Sequence, residues 1–468
     1  MSTDRPNILY LFLDELRADH LGCYGHPFVQ TPNLDRIAAE GVRFDRCWST
    51  NPLCIPARVA LMTGLYSRQT RVRNNVPAEP VPYLQDLFRF RETLTAAGYR
   101  HVANVGKVHT TRSPRDSGFD LHECHYDLQG ATPFVLPATF EPDRHRAVII
   151  PGQWPNSYIG GQHPGPVEDT YTCRNVDGAI RLLDRLGEGP WLLRLSLDRP
   201  HTPVLPPPPW DTMYADDVAD WHWSDEELAR RPDTIRRWRQ LRGFDRIRES
   251  DQRFIRQTYA GMITFVDEQV GRLLEELRQR GLDENLLTVV LADHGCSAGD
   301  HGLQVKGPYA TPDINRVPFL WHWPEHIDGG RTYEPPVQLI DFLPTLAELI
   351  DAPRHEQFQG ASLAGVLAGG DTAPVHEAVF TEADSHQLPD CRSETVRCGR
   401  WRFTRYPEAG ERELIDTHAD PDETMDVADE HPEVVREMHE RLNDWQRRTP
   451  VPAPPRSAGA AAPPAAAI

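Results

Sequence analysis

The apolar residues of this chain gather into short unbroken runs, each closed by charged or small residues. Asn7–Leu13 is apolar almost throughout and ends in Asp14-Glu15, and Tyr99–Val105 leads into Gly106-Lys107-Val108-His109. Trp191–Leu197 runs into Asp198-Arg-Pro-His201-Thr-Pro203, and Leu286–Ala292 into Asp293-His294-Gly295. Runs of strand length without alternation are those of strands buried on both faces, as in a parallel sheet. Val317–Trp321 reads as a further strand. Between them the spacing changes to three and four residues. Thr31–Gly41, Tyr83–Gly98, Gln338–Ile350, the series Cys173, Val176, Ile180, Leu183, Leu186, and the series from Met262 to Leu277 predict helices. Strands alternating with helices predict an α/β fold with a large, mostly parallel sheet covered by helices.

After about residue 352 the pattern shifts to short strands, Ala378–Thr381 and Trp401–Tyr406, and then a helix over Pro432–Arg448. We expect a main α/β domain over 1–352, a smaller α+β subdomain over 353–450, and a disordered Pro/Ala-rich tail over 451–468. Residues 113–167 lose periodicity and read as irregular loop. The Arg-rich stretch 230–256 reads most simply as a solvated helical face, with an insertion over a site entrance as the alternative.

Open α/β sheets bind ligands beyond the carboxyl ends of their strands, and Asp14, Lys107, His201 and Asp293 all fall there. Asp14-Glu15 and Asp293-His294 bring three carboxylates and an imidazole. Crowded carboxylates repel unless a cation sits between them, which implies a divalent metal. Cys54-Ile-Pro56-Ala-Arg58-Val-Ala-Leu-Met-Thr-Gly64 reads as a short helix with proline in its first turn and glycine past its end. Cys54 then lies at a helix N-terminus, where free N–H groups and the dipole favour an anion. Arg58, one turn on, adds a fixed positive charge. Each feature also has a plainer reading: a buried structural cysteine, a helix cap, an ordinary strand exit.

Composition narrows the functional classes. The 468 residues carry a net charge of -19, which argues against nucleic acid or an anionic membrane as partner. No apolar run reaches the roughly 18 residues of a membrane span. The first residues lack the apolar core of a signal peptide, and the eight cysteines show no CxxC pair, so a reduced cytoplasmic setting is expected. A site for an anionic substrate must be locally cationic against this acidic body.

Cys54-Ile-Pro56-Ala-Arg58, followed by Leu61, Thr63 and Gly64, resembles the Cys-x-Pro-x-Arg signature of type I, formylglycine-dependent sulfatases in the alkaline phosphatase superfamily. Lys107 and His109, His201, Lys306 in Gln-Val-Lys-Gly-Pro, Asp300-His301-Gly302, Asp341-Phe-Leu-Pro-Thr345 and Gly360-Ala-Ser-Leu363 follow in family order. The resemblance implies an alkaline phosphatase-like fold and a small anionic sulfate ester as substrate, arylsulfatase-like. It implies conversion of Cys54 to Cα-formylglycine by a formylglycine-generating enzyme. It also implies one divalent ion held by Asp14, Glu15, Asp293, His294 and residue 54, with Ca2+ first and Mn2+ or Mg2+ as alternatives. Arg58, Lys107, His109, His201 and Lys306 take the substrate-binding and proton-transfer positions.

Two positions depart from the pattern. Glu15 stands where the family often has a second Asp and related phosphonate hydrolases often have Gln, and His294 stands where many sulfatases have Asn. A nitrogen ligand suits Mn2+ better than calcium. A phosphonate monoester or phosphodiester hydrolase with the same nucleophile is therefore the alternative reading. A non-catalytic binding protein with unmodified Cys54 is the remote one; a pure binding pocket has no need of both His109 and His201.

Overall fold

The structure, a computed structural model, describes residues 5–75, 84–110, 117–124, 147–150, 157–218, 223, 225–370, 372–385 and 387–452. Its main sheet has eight strands: β1 (Asn7–Leu13), β2 (Val42–Phe44), β3 (His101–Gly106), β4 (Leu121–Glu123), β5 (Trp191–Leu197), β6 (Leu286–Leu291), β7 (Phe319–His322) and β8 (Arg331–Tyr333). Their order is β8-β2-β7-β6-β1-β5-β3-β4. All run one way except β7, which is antiparallel to both β6 and β2. The continuous apolar runs are the central strands: every residue of β5 and β6, and Ile8 to Leu13 of β1, is buried.

Helices cover both faces. On one side α1 (Pro32–Glu40), α4 (Tyr171–Leu186) and α6 (Glu249–Gln279) pack together, and Asp267 of α6 accepts the backbone N–H groups of Asn33 and Leu34 at the start of α1. On the other lie α2 (Cys54–Thr63), α3 (Phe90–Ala96) and α7 (Phe342–Leu349), where the Tyr10 ring of β1 meets Phe342 at 4.8 Å. Helix α2 ends as its sequence predicts: Gly64 takes a left-handed φ of 70° and donates to the Ala60 carbonyl at 2.7 Å.

The expected helix over Tyr83–Gly98 is interrupted. Its described part forms a turn at Leu84–Leu87 and then α3, because the N–H of Arg89 is spent on the Met62 carbonyl. The expected strand Val317–Trp321 is divided at Pro318. Arg316–Val317 pairs with Cys47–Trp48 in a small second sheet, and β7 joins the main one. The Arg-rich stretch is not a solvated face throughout. It forms helix α5 (Asp233–Leu241) and then the start of α6; Arg231 is buried, and Arg239 donates to the Gly302 carbonyl at 3.0 Å.

Beyond the main sheet, β9 (Ala378–Ala383), β10 (Ser393–Cys398), β11 (Trp401–Tyr406) and β12 (Glu411–Asp416) form an antiparallel meander, covered by α8 (Pro432–Arg448). Its edge strand braces the approach to α2: Thr381 Oγ1 donates to the Ser49 carbonyl at 2.7 Å and Glu382 N to the Thr50 carbonyl at 3.1 Å. The tail expected over 451–468 lies outside the described residues from 453 onward, as does much of 113–167. No described helix is long and apolar enough to cross a membrane.

Candidate active site

The carboxyl ends of β1, β3, β5 and β6 converge beside the N-terminus of α2. Asp14 continues β1, donating its N–H to the Leu197 carbonyl at 3.1 Å. The chain then turns through Glu15, whose φ of 66° is left-handed, a conformation that costs energy in a residue other than glycine. Tyr259 of α6 holds this turn: its hydroxyl donates to the Glu15 carbonyl at 2.7 Å and accepts from Arg17 N at 3.2 Å. Across the sheet, Asp293 Oδ1 accepts from the N–H groups of Glu15 at 3.2 Å and His294 at 3.1 Å.

Cys54 is the first residue of α2 and fully buried. Asn51 Oδ1 accepts from Leu53 N and Asn75 Oδ1 from Ile55 N, each at 3.0 Å, which satisfies N–H groups left free at a helix start. One turn on, the buried Arg58 guanidinium bridges the two aspartates, with Nε 2.8 Å from Asp293 Oδ2 and Nη2 3.0 Å from Asp14 Oδ2. Its Nη1 donates to the Lys107 carbonyl at 3.1 Å and to Ser196 Oγ at 3.3 Å, and its central carbon lies 4.3 Å from the Phe12 ring centroid. Arg58 is thereby a strut. It fixes one oxygen of each aspartate and turns the other inward.

The inward atoms form a compact donor set. Asp14 Oδ1 and Asp293 Oδ1 lie 3.8 and 3.7 Å from His294 Nε2, and Cys54 Sγ lies 3.1 Å from that nitrogen and 3.8 Å from Asp14 Oδ1. His294 Nδ1 donates to the Gly295 carbonyl at 2.8 Å, so Nε2 is the nitrogen that faces this set, free to ligate once a cation displaces its proton. One ligand atom from each of Asp14, Cys54, Asp293 and His294 fits within a 4.8 Å span, and two carboxylates with an imidazole suit a divalent cation. Burial pulls the His294 pKa down, but Asp293 and the Cys54 sulfur outweigh it and raise it to about 9. Asp14 is held well below the usual carboxylate range: burial opposes ionisation, and Lys107 and Arg58 overcome it.

Cations surround this set. Lys107 Nζ contacts Asp14 Oδ2, and Lys306 Nζ lies 2.8 Å from Glu15 Oε2. His201 Nε2 is 3.4 Å from the same Glu15 oxygen, while its Nδ1 donates to the Thr202 carbonyl at 2.5 Å. Glu15 thus stands apart from the four-residue group. It joins Asp14 and His201 in a second cluster, and its Oε1 is buried without a hydrogen bond. His109 adopts a left-handed φ of 46° and buries an unpartnered Nδ1. Burial, then Lys107 and Arg58, pushes its pKa well below 6.5, and burial with Lys306 and Lys107 does the same for His201. Both imidazoles are neutral at pH 7 in the free protein.

Every site residue expected from the sequence therefore lies in one neighbourhood. Sequence reasoning missed the supports. Ser49, whose Oγ donates to the Asp293 carbonyl at 2.6 Å, as well as Ser196, Asn75 and Tyr259, come from distant positions with no motif of their own. Asn51 had a readable signal, since an asparagine shortly before a helix often accepts from the backbone two residues on.

The sequence model of the family described as Sulfatase matches residues 6–352, and that described as N-sulphoglucosamine sulphohydrolase, C-terminal, matches residues 299–448. An arylsulfatase of Clostridium perfringens (strain 13 / Type A) is 27% identical over 460 residues, covering 90% of this chain and 90% of its own. A choline-sulfatase of Rhizobium meliloti (strain 1021) is 27% identical over 458 residues, covering 92% of this chain and 83% of its own. The solved phosphonate monoester hydrolase of Agrobacterium radiobacter superposes with a TM-score of 0.80 at 24% identity, covering 95% of this chain and 96% of its own; that likeness concerns the fold.

Proposed function

The chain belongs to the sulfatase family, within the alkaline phosphatase superfamily, and is a sulfuric ester hydrolase, and on that premise we propose that it cleaves a small sulfate monoester through a formylglycine made from Cys54. The observation that carries this reading is the position of Cys54 Sγ, buried at the start of α2 and 3.1 Å from His294 Nε2. Residue 54 faces the same donor atoms that suit a divalent ion. We read residues 1–352 as the catalytic unit and 353–450 as the subdomain that braces it.

The sulfatase family generally uses a metal ion and formylglycine. Here Asp14 Oδ1, Asp293 Oδ1, His294 Nε2 and an oxygen of residue 54 would hold the ion, with Ca2+ the first choice and Mn2+ or Mg2+ the alternatives. Such an ion supplies Lewis acidity and neutralises the paired carboxylates. Formylglycine at residue 54 would supply a hydrated aldehyde, with one hydroxyl as the nucleophile toward sulfur and a second whose deprotonation would release sulfate.

The remaining work falls to this chain's side chains. Lys107 and Lys306 bind the non-bridging oxygens and stabilise the charge that grows on them. Arg58 keeps both aspartates oriented throughout. The neutral His109, with a lone pair to spare, takes the proton from the second hydroxyl. His201 Nε2 faces the leaving oxygen. Burial lowers the Lys306 pKa, but the charges it faces at Cys54, Glu15 and Asp14 outweigh this and raise it, so Lys306 stays protonated and supplies the charge on that side. An anionic ester draws a proton from solvent onto His201, which hands it to the departing alkoxide oxygen.

A general acid is worth about 10²–10⁴-fold when the leaving oxygen needs a proton. His201→Ala is expected to slow esters of aliphatic alcohols within that range and nitrophenyl sulfate much less, whereas His109→Ala slows both alike. Measuring kcat/KM across esters of graded leaving-group pKa checks this; an equal loss on every ester from His201→Ala assigns His201 to sulfate binding alone. Metal content gives a second check. Asp14→Asn and Asp293→Asn are each expected to lose a stoichiometric ion, and Glu15→Gln to retain it, because Glu15 Oε2 is committed to Lys306. Unchanged metal in both aspartate variants refutes the donor set.

Turnover of matched sulfate, phosphate and phosphonate esters by metal-replete, aldehyde-bearing protein tests the activity. Sulfate esters are expected to be fastest. A phosphonate monoester or phosphodiester turned over faster favours the second reading, to which Glu15 and His294 point.

A further inference from the structure

The residue after α5, Arg242, has no acidic partner among the described residues, although most guanidinium groups of this acidic chain do. Its Nη1 donates to Gln387 Oε1 at 3.0 Å, its Nε is buried without an acceptor, and no described residue accepts from Nη2. The Trp238 and Phe244 rings flank it, with centroids 5.5 and 5.8 Å from its central carbon.

Three elements fix its place beside the site. Helix α5 packs on the loop that carries Lys306: Arg239 donates to the Gly302 carbonyl, and a Cβ on Gly307 would come within 2.5 Å of Trp238 Nε1. Gln387 follows β9, whose C-terminal residues Thr381 and Glu382 brace the Ser49-Thr50 segment before Cys54. Burial lowers the Arg242 pKa, and the buried Tyr309 and Glu15 offset only part of that. Glu15 Oε2 is the oxygen shared by Lys306 and His201. Through Trp238, which packs on the residue after Lys306, Arg242 stands on the Lys306 side of the site, with no acidic partner among the described residues.

We propose that Arg242 is a specificity-determining residue that binds a second anionic group, a carboxylate or another sulfate, carried on the alcohol half of the ester. The guanidinium fork suits either oxyanion, and the flanking rings hold it in place at little further entropic cost. A net charge of -19 would repel a doubly anionic substrate elsewhere on the surface, so an unpaired arginine here selects for one. The proposal rests on the sulfatase reading above.

The test uses aryl sulfates bearing, on a short alkyl arm that leaves the phenol unchanged, a carboxylate, a carboxamide or a second sulfate. A hydrogen bond to a charged group predicts that the metal-replete, aldehyde-bearing wild type prefers a charged arm over the carboxamide by about 10- to 100-fold in kcat/KM. Whichever anion gives the larger ratio identifies the group bound. Arg242→Gln is expected to bring the ratio near one, chiefly through KM. Arg242→Lys, which keeps the charge but not the planar fork or its stacking, gives an intermediate ratio and covers a failure of Arg242→Gln to fold. A wild-type ratio near one, or a ratio that survives Arg242→Gln, overturns the proposal. Failure to cleave any of the three esters instead overturns the sulfatase reading, so the two failures are distinguishable.

Discussion

Cys54→Ser is expected to lower multiple turnover of sulfate esters by about 10⁴-fold or more, the cost of removing a catalytic nucleophile. Serine fits the fully buried space at the start of α2 and leaves the Arg58 strut untouched, so folded stability should change little. Its single hydroxyl can attack sulfur once. It has no second hydroxyl whose deprotonation expels the product, so the protein should be trapped carrying one sulfate on residue 54. Intact-mass measurement after incubation with substrate detects that adduct, and the Asp293→Asn background should suppress it. Sustained turnover by Cys54→Ser would remove residue 54 from the chemistry.

Arg58→Met is the second large effect, and it reads stability as well as rate. Methionine keeps most of the volume and the contact with Phe12 but leaves Asp293 Oδ2 without its ion pair and Asp14 dependent on Lys107. Removing one partner of a buried pair costs about 3–5 kcal/mol because the other charge stays buried and uncompensated. In a chain of this length that lowers the melting temperature by a few degrees. With the aspartates released, turnover should fall by at least about 10²-fold. The double variant Arg58→Met/Asp293→Asn should lose less stability than the sum of the two single variants, since each removes part of the same unpaired charge. Additive losses would mean that Arg58 is not the strut between the two aspartates.

What the sequence made legible follows from where the physics is local. β1, β5 and β6 are buried on both faces, so their apolar runs are uninterrupted, and their polar exits at Asp14, Asp198-Arg-Pro-His201 and Asp293-His294 mark the rim directly. Helix α2 is punctuated by Pro56 and Gly64, which made its bounds and the place of Cys54 readable. Strands β2 and β8 are three residues each, too short for any period, and exist because the sheet edge offers partners. The break before α3 depends on the Met62 carbonyl capturing Arg89 N, and the division at Pro318 on two different sheets competing for one segment. Tertiary contacts decide such points.

The site shows the same division. The sequence brought Asp14, Cys54, Asp293 and His294 to one rim but could not say which oxygen of each aspartate faces inward; that is set by Arg58 reaching across from α2. Nor could it separate Glu15 from its neighbour. Glu15 is turned away by a left-handed backbone that Tyr259, from the middle of α6, holds in place. Arg242 was visible only as one arginine among many, because its significance lies in what surrounds it.

The central claim, that residue 54 acts as an oxidised nucleophile on sulfate esters, is tested most directly by measuring turnover against the extent of oxidation. Preparations made with graded co-expression of the maturation enzyme are digested with trypsin, which releases Cys47–Arg58, a peptide carrying Cys47 as an internal unmodified reference. Conversion appears in its mass as the loss of hydrogen sulfide and gain of one oxygen at Cys54. Sulfate-ester turnover per protein molecule is expected to rise in proportion to the converted fraction, from an intercept at zero. Full turnover in a preparation whose Cys54 remains a thiol would contradict it.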